Sequence, residues 1–245
     1  MNRQAQAVVL LLVGGAVLRA SFTDLYLRYV KQGLQPFLIA AGVVLVAAAL
    51  MTLWYELRPH TGTAAEPAYE EHDEHADHGH SGEPRVAWLL LLPVLGLLLV
   101  APPALGSYAA NRSGMSLQEQ SDFAPLPAGD PAKISVLDYA SRAIFDDGRS
   151  LGDRRVQLSG FVSAAPDGGF YLTRMILSCC AADARPIKIA LQGRLPDGLK
   201  RDTWLRVTGK YMPKTTKDPI NGERIPFIDV LEAETISPPS EQYET

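Results

Sequence analysis

Cys179 and Cys180 are adjacent, and they are the only cysteines in this 245-residue chain. They lie within Arg174–Leu191, RMILSCCAADARPIKIAL, at a bend between two strand-like runs, and Asp183 follows after two small alanines. Thiolates are nucleophiles and soft-metal ligands, and a carboxylate adds an oxygen donor, so these residue types suit Zn(II) or Cu(I) rather than Mg or Ca. Successive residues of an extended chain point to opposite faces, so both sulfurs reach one ion only where the backbone turns. Two thiols and one carboxylate leave a tetrahedral site one ligand short, to be completed by another chain or an oxygen. The competing reading is a pair of small buried hydrophobes, the usual state of free cysteine. A disulfide between neighbours would strain the peptide that joins them.

A second cluster lies upstream. All five histidines fall between His60 and His80, and four of them, His72, His75, His78 and His80, stand in EPAYEEHDEHADHGHSGEPR among seven acids that include Asp73 and Asp77. Imidazole and carboxylate are ligands for zinc, nickel, copper and cobalt, and short His-rich tracts are a compositional signal for metal binding. The expected metal is Zn(II) or another divalent transition ion, held by His72, His75, His78, His80, Asp73 and Asp77 in a loose, exchangeable way. A solvated acidic linker that happens to contain histidine is the alternative, and a pH-sensing loop is a third reading.

The elements that must carry these clusters differ sharply along the chain. Before about residue 106 the sequence consists of long apolar runs; after it the pattern is that of a soluble domain. PFLIAAGVVLVAAALMTLWY, Pro36 to Tyr55, is long enough at 1.5 Å per residue to cross a bilayer core of roughly 30 Å, and ends in an interfacial Trp-Tyr pair. Val86 to Leu105 is a second clear span, and Gln4 to Ala20 a shorter one. The latter could be a cleaved signal peptide, but Arg19 stands where a small residue is wanted, which favours a retained helix. The expected layout is a transmembrane region over 1–110 with helices at about 4–20, 36–55 and 86–105, and the His-rich loop at 59–85. A linker at 111–130, a soluble domain at 131–238 and a tail at 239–245 complete it. Tyr26, Arg28, Tyr29 and Lys31, between the first two helices, suit a membrane-water boundary. Flanking Lys and Arg nearly balance, and a positive N-terminus inclines the chain toward N-inside, which puts the C-terminal domain outside the cytoplasm.

In the soluble part SVLDYASRAIFDDG repeats apolar residues at helical spacing, with Ile134, Leu137, Ala140 or Ser141, Ile144 and Phe145 on one face. Five strands are expected, at 155–163, 169–176, 186–191, 204–211 and 226–233, separated by Pro-Asp-Gly and Asn-Gly turns. Gly160 and Gly209 interrupt the first and fourth, which points to bulges and to a small closed five-stranded barrel of OB type; a β-sandwich is the alternative. From Pro131 onward 16 basic residues face 15 acids. No basic field exists for phosphates, so no nucleic-acid partner is expected. The domain also lacks histidine, a phosphate loop and a nucleophile-base pair, so no catalytic residues and no enzyme activity are expected.

The His-rich loop before the last apolar run, the exit VAPPALGSY, CCAADA at Cys179 to Ala184 and TKDP at Thr216 to Pro219 together resemble the YcgQ-like family of bacterial membrane proteins. The resemblance extends over nearly the whole chain, and FTDLYLRYVKQGLQP and DYASRAIFDDGRSLGDRRVQLSGFV look like its actinobacterial branch. It implies a multi-pass protein of the cell membrane that serves as a permease subunit, a multi-spanning YcgR-like permease as partner, and a link to metal-ion homeostasis, zinc in particular. It carries no catalytic residues. The alternative is an envelope scaffold whose barrel recognises another component without metal.

Overall fold

The computed structural model describes residues 3–58 and 102–244, with Gly96 and Val100 between them. These form two compact units, one of residues 1–25 and 35–102, the other of residues 26–34 and 103–245.

The first unit is a helical hairpin. Helix α1 runs Arg3–Ser21 and α2 runs Gln35–Leu57. Both are apolar on most faces, and α2 leaves Phe37, Val43, Val44, Met51 and Trp54 exposed. The two helices meet at glycines: a Cβ on Gly14 would stand 3.1 Å from Gly42 O and 2.9 Å from Val46, so only a hydrogen fits. Small residues of this kind let apolar helices approach where no hydrophobic force drives them together. Gln35 donates its amide to Ser21 O at 2.9 Å, closing the open end. Among the described residues one helix, Gln32–Leu57, is long and apolar enough to cross a membrane; Gln6–Ser21 is apolar but shorter. The run expected at 86–105 and the loop at 59–85 lie outside the described residues, save a few positions at the run's end.

The second unit is a closed five-stranded barrel preceded by a helix. A four-residue helix α3 (Ser107–Ala110) and a short strand β1 (Ala132–Lys133) lead to α4 (Val136–Phe145). The barrel strands are β2 (Val156–Ala164), β3 (Phe170–Ile176), β4 (Arg185–Gly193), β5 (Trp204–Lys217) and β6 (Arg224–Ile236). Antiparallel pairings join β2 to β3, β3 to β4, β5 to β6 and β2 to β5; the parallel pair β4–β6 closes the ring. All five strands stand within a few residues of their expected places, because alternation and turn residues are local signals.

Two glycines do different work from each other. At Gly160 β2 passes from β5 to β3, and a Cβ there would lie 2.7 Å from Thr173 O; this is a close approach, not the expected bulge. Two register shifts separate β5 from β6: at Thr208/Gly209 the extra residue is Leu231 of β6, and the extra residues on β5 fall between Met212 and Thr215. Helix α4 begins at Ser135, whose Oγ accepts from Asp138 N at 2.8 Å, the standard way to satisfy a free first-turn amide. Ala140, Ser141 and Ile144 of the expected face are buried, but Val136 and Tyr139 are buried in the first turn where Leu137 was expected, a local shift. The phenol of Tyr139 explains the shift: it donates to Phe227 O at 2.6 Å, so a large ring enters the core with its polar end paired.

Residues 111–130 are laid on the barrel. Met115 is buried, and its amide donates to Asp218 Oδ2 at 3.0 Å. Asp218 pairs with Lys188 at 2.8 Å, both side chains almost wholly buried, and Lys188 also donates to Ser113 O. The last residues form strand β7 (Tyr243–Glu244), parallel to β3, where a tail at 239–245 was expected. Glu244 accepts from the amides of Val136 and Leu137 at 2.9 Å each, so the chain end caps α4.

Candidate functional site

After β3 the chain leaves the barrel at Leu177 and turns through Ser178–Cys180 into a single 3-10 turn, Ala181–Asp183, before β4. Asp183 organises this turn from inside. Its Oδ1 accepts from Ser178 N at 3.0 Å; its Oδ2 accepts from Cys179 N at 2.8 Å and Cys180 N at 3.3 Å. Three successive amides converging on one carboxylate form an anion nest, here filled by the chain's own residue. In return the Asp183 amide donates to Cys180 O at 3.1 Å, which closes the turn.

This turn answers the geometric condition on the sulfurs. Cys179 Sγ, Cys180 Sγ and an Asp183 carboxylate oxygen lie within 4.8 Å of one another. Two sulfurs each about 2.3 Å from one zinc stand roughly 3.8 Å apart in a tetrahedral site, so a small rotation of the side chains suffices. Cys179 is exposed and Cys180 half-buried. The reading of the pair as core filler therefore fails for Cys179: it packs in no core.

The Cys179 thiol donates to Asp183 Oδ2 at 2.9 Å. That hydrogen bond, with a smaller one to Cys180, pushes the Cys179 thiol up to about 11. The same bond, with the backbone amides, holds the Asp183 carboxyl down to about 2. The proton thus rests on sulfur and the charge on oxygen. An arriving cation must displace that proton, and the neighbouring carboxylate offsets its charge. Asp183 accepts from four donors, three at Oδ2 and one at Oδ1, which leaves Oδ1 an open acceptor position. In this conformation it holds the turn through the amides of residues 178–180 and the Cys179 thiol.

On the outer side of the turn lies the segment around Tyr26–Lys31, which the sequence assigned to the membrane boundary; it is two 3-10 turns, Asp24–Arg28 and Gln32–Leu34, with Val30 between them. Val30 bridges Cys180 in antiparallel fashion, Lys31 N donates to Cys179 O at 3.1 Å, and Ala181 N donates to Tyr29 O at 2.7 Å. Nearby, the buried Tyr243 phenol accepts from Leu105 N at 2.8 Å and donates to Arg28 O at 3.0 Å. Behind it Phe161 and Trp204 meet edge to face at 5.9 Å, with Met175 and Leu177. No local signal in FTDLYLRYVKQGLQP announces a partner about 150 residues away.

His72, His75, His78, His80, Asp73 and Asp77 fall outside the described residues. Among the described residues Cys179, Cys180 and Asp183 form the one group of three His, Cys, Asp or Glu side chains arranged to hold a metal ion.

No curated protein and no solved structure matches the chain. Residues 141–244, from the middle of α4 through the barrel to β7, match the family model of the DUF1980 C-terminal domain.

Proposed function

We propose that the chain is a membrane-bound accessory subunit of a bacterial permease, and that its barrel presents Cys179 and Cys180 to a thiophilic ion, zinc before others. One observation carries this reading: two thiols and a carboxylate are gathered within 4.8 Å on a surface turn built around them. An exposed, incomplete ligand set suits an ion that is accepted and passed on, whereas structural zinc sites are closed by four ligands. The His-rich loop at 59–85 adds a second, looser set of ligands. The reading assigns no catalysis to the barrel. Its pairing order, with β4 parallel to β6, favours the OB type among small barrels.

A multi-pass arrangement has support of its own. Residues 26–34 and the barrel belong to one compact unit, so they share a side of the membrane. Helix α2 lies between them in sequence and is long enough to cross. A chain that crosses once there has to cross again before Pro103, and the apolar run at 86–105 suits that return. The His-rich loop then faces the side opposite the thiol turn.

Purified full-length protein titrated with Zn(II) against a chromogenic chelator tests the metal reading. The expected result is two classes of binding: one lost on replacing His72, His75, His78 and His80 with alanine, the other on replacing Cys179 and Cys180 with serine. Binding unchanged in a chain carrying all six replacements overturns it and leaves the metal-free scaffold. Co-purification with a multi-spanning permease, tested with barrel-deleted protein as control, checks the partner.

A further inference from the structure

The thiol turn is clamped from two sides, and only the inner clamp belongs to the barrel loop. Asp183 holds the amides of residues 178–180. The outer clamp is the connector Tyr26–Leu34, whose two ends run into α1 and α2. Its hydrogen bonds engage Cys179 O and Ala181 N, the peptide groups on either side of Cys180. Those two bonds fix the backbone dihedrals of Cys180, which in turn fix where its sulfur points relative to that of Cys179. Tyr26 is 6% exposed, and Arg28 O is held by the Tyr243 phenol, so the docked connector is an ordered part of the unit.

We propose that metal occupancy of Cys179 and Cys180 and docking of the Tyr26–Leu34 connector are one coupled equilibrium, each favouring the other. This rests on the metal reading above. An ion needs both sulfurs at tetrahedral separation, so it binds more tightly to a turn already held in one conformation than to one it has to order. Coupling between two binding events is reciprocal: whatever factor docking adds to metal affinity, metal adds to docking. The connector is continuous in sequence with both N-terminal helices.

The test uses the full chain in detergent micelles, with His72, His75, His78 and His80 replaced by alanine so that the thiol turn is the site titrated. Hydrogen exchange is followed in peptides covering 26–34 and 178–184, with and without Zn(II). Zn(II) affinity is measured in this parent and in two variants that loosen docking without touching a ligand. Lys31→Pro removes the amide that donates to Cys179 O, and Tyr243→Phe removes the hydroxyl that holds Arg28 O. The expected result is slower exchange in both peptides on adding Zn(II), and affinity about tenfold weaker in each variant. Unchanged exchange in 26–34 together with unchanged affinity in Tyr243→Phe overturns the coupling and leaves the metal reading standing. A parent that binds no Zn(II) through its thiols overturns both.

Discussion

Cys179 and Cys180 illustrate how little burial the thiol pair contributes. Because Cys179 is exposed and Cys180 half-buried, the double replacement by alanine removes little packed surface. Urea unfolding of the solubilised chain, followed by Trp204 fluorescence with Trp54 and Trp88 replaced by Phe, should show a loss below about 1 kcal/mol. A loss of several kcal/mol would return the pair to the core. Glu244 makes a contrasting residue, buried with its carboxylate against α4. Burial pushes its carboxyl above the usual 4.5, although the Val136 and Leu137 amides and Arg174 pull the other way. With a raised pKa the folded state holds the proton more tightly than the unfolded one. The side chain's contribution is therefore largest where it is protonated, below about pH 4.5, and is lost as pH rises from there through the raised folded value. Glu244→Gln does not titrate, so its stability relative to wild type should improve as pH rises through that window. A pH-independent difference would contradict the assignment.

Among the elements, the segment at 111–118 depends on a buried ion pair rather than on its own sequence. Lys188 from β4 and Asp218 at the end of β5 meet at 2.8 Å and together hold Ser113 O and Met115 N. Removing one partner of such a pair leaves an uncompensated buried charge, at a cost of about 3–5 kcal/mol. Lys188→Met should cost that much in the same unfolding assay. Adding Asp218→Asn should recover part of it, since the amide keeps an acceptor for Met115 N without the charge. Strictly additive losses would mean that the pair does not act as a unit. Helix α4 is held at its first turn from two sides, by Ser135 from its own sequence and by Glu244 from β7.

For the whole molecule the sharpest consequence concerns sidedness. The connector at 26–34 and the barrel share one unit, and the proposed N-inside orientation would place both outside the cytoplasm. In a chain with Cys179 and Cys180 replaced by serine, a membrane-impermeant thiol reagent applied to intact cells should label a cysteine at exposed Ser240 and spare one at Thr63. A cysteine at exposed Thr23, beside the connector, should label like Ser240. Labelling of Thr63 with protection of the other two would reverse the orientation. Opposite behaviour of Thr23 and Ser240 would break the shared side altogether.

The five strands, the preceding helix and the place of the thiol pair were legible in the residues alone. Period-two alternation, glycine-bearing turns and a strand-turn-strand frame around CCAAD are all local patterns, and each element forms where its own neighbours favour it. Helix α2 was legible for the same reason: its length and composition meet the demand of a bilayer core without reference to anything distant. What no local pattern carries is the choice of partners across the chain. Closure of the barrel through β4 and β6, capping of α4 by Glu244, burial of Lys188 against Asp218 and docking of Val30 on Cys180 join residues far apart in sequence. Such pairings form only when the packed core brings their elements together, because the entropy of closing long loops has to be offset by burial elsewhere. The role of Asp183 sits between the two cases: its nearness to the cysteines is a matter of spacing, but the turn that wraps three amides around its carboxylate exists only once β3 and β4 are paired.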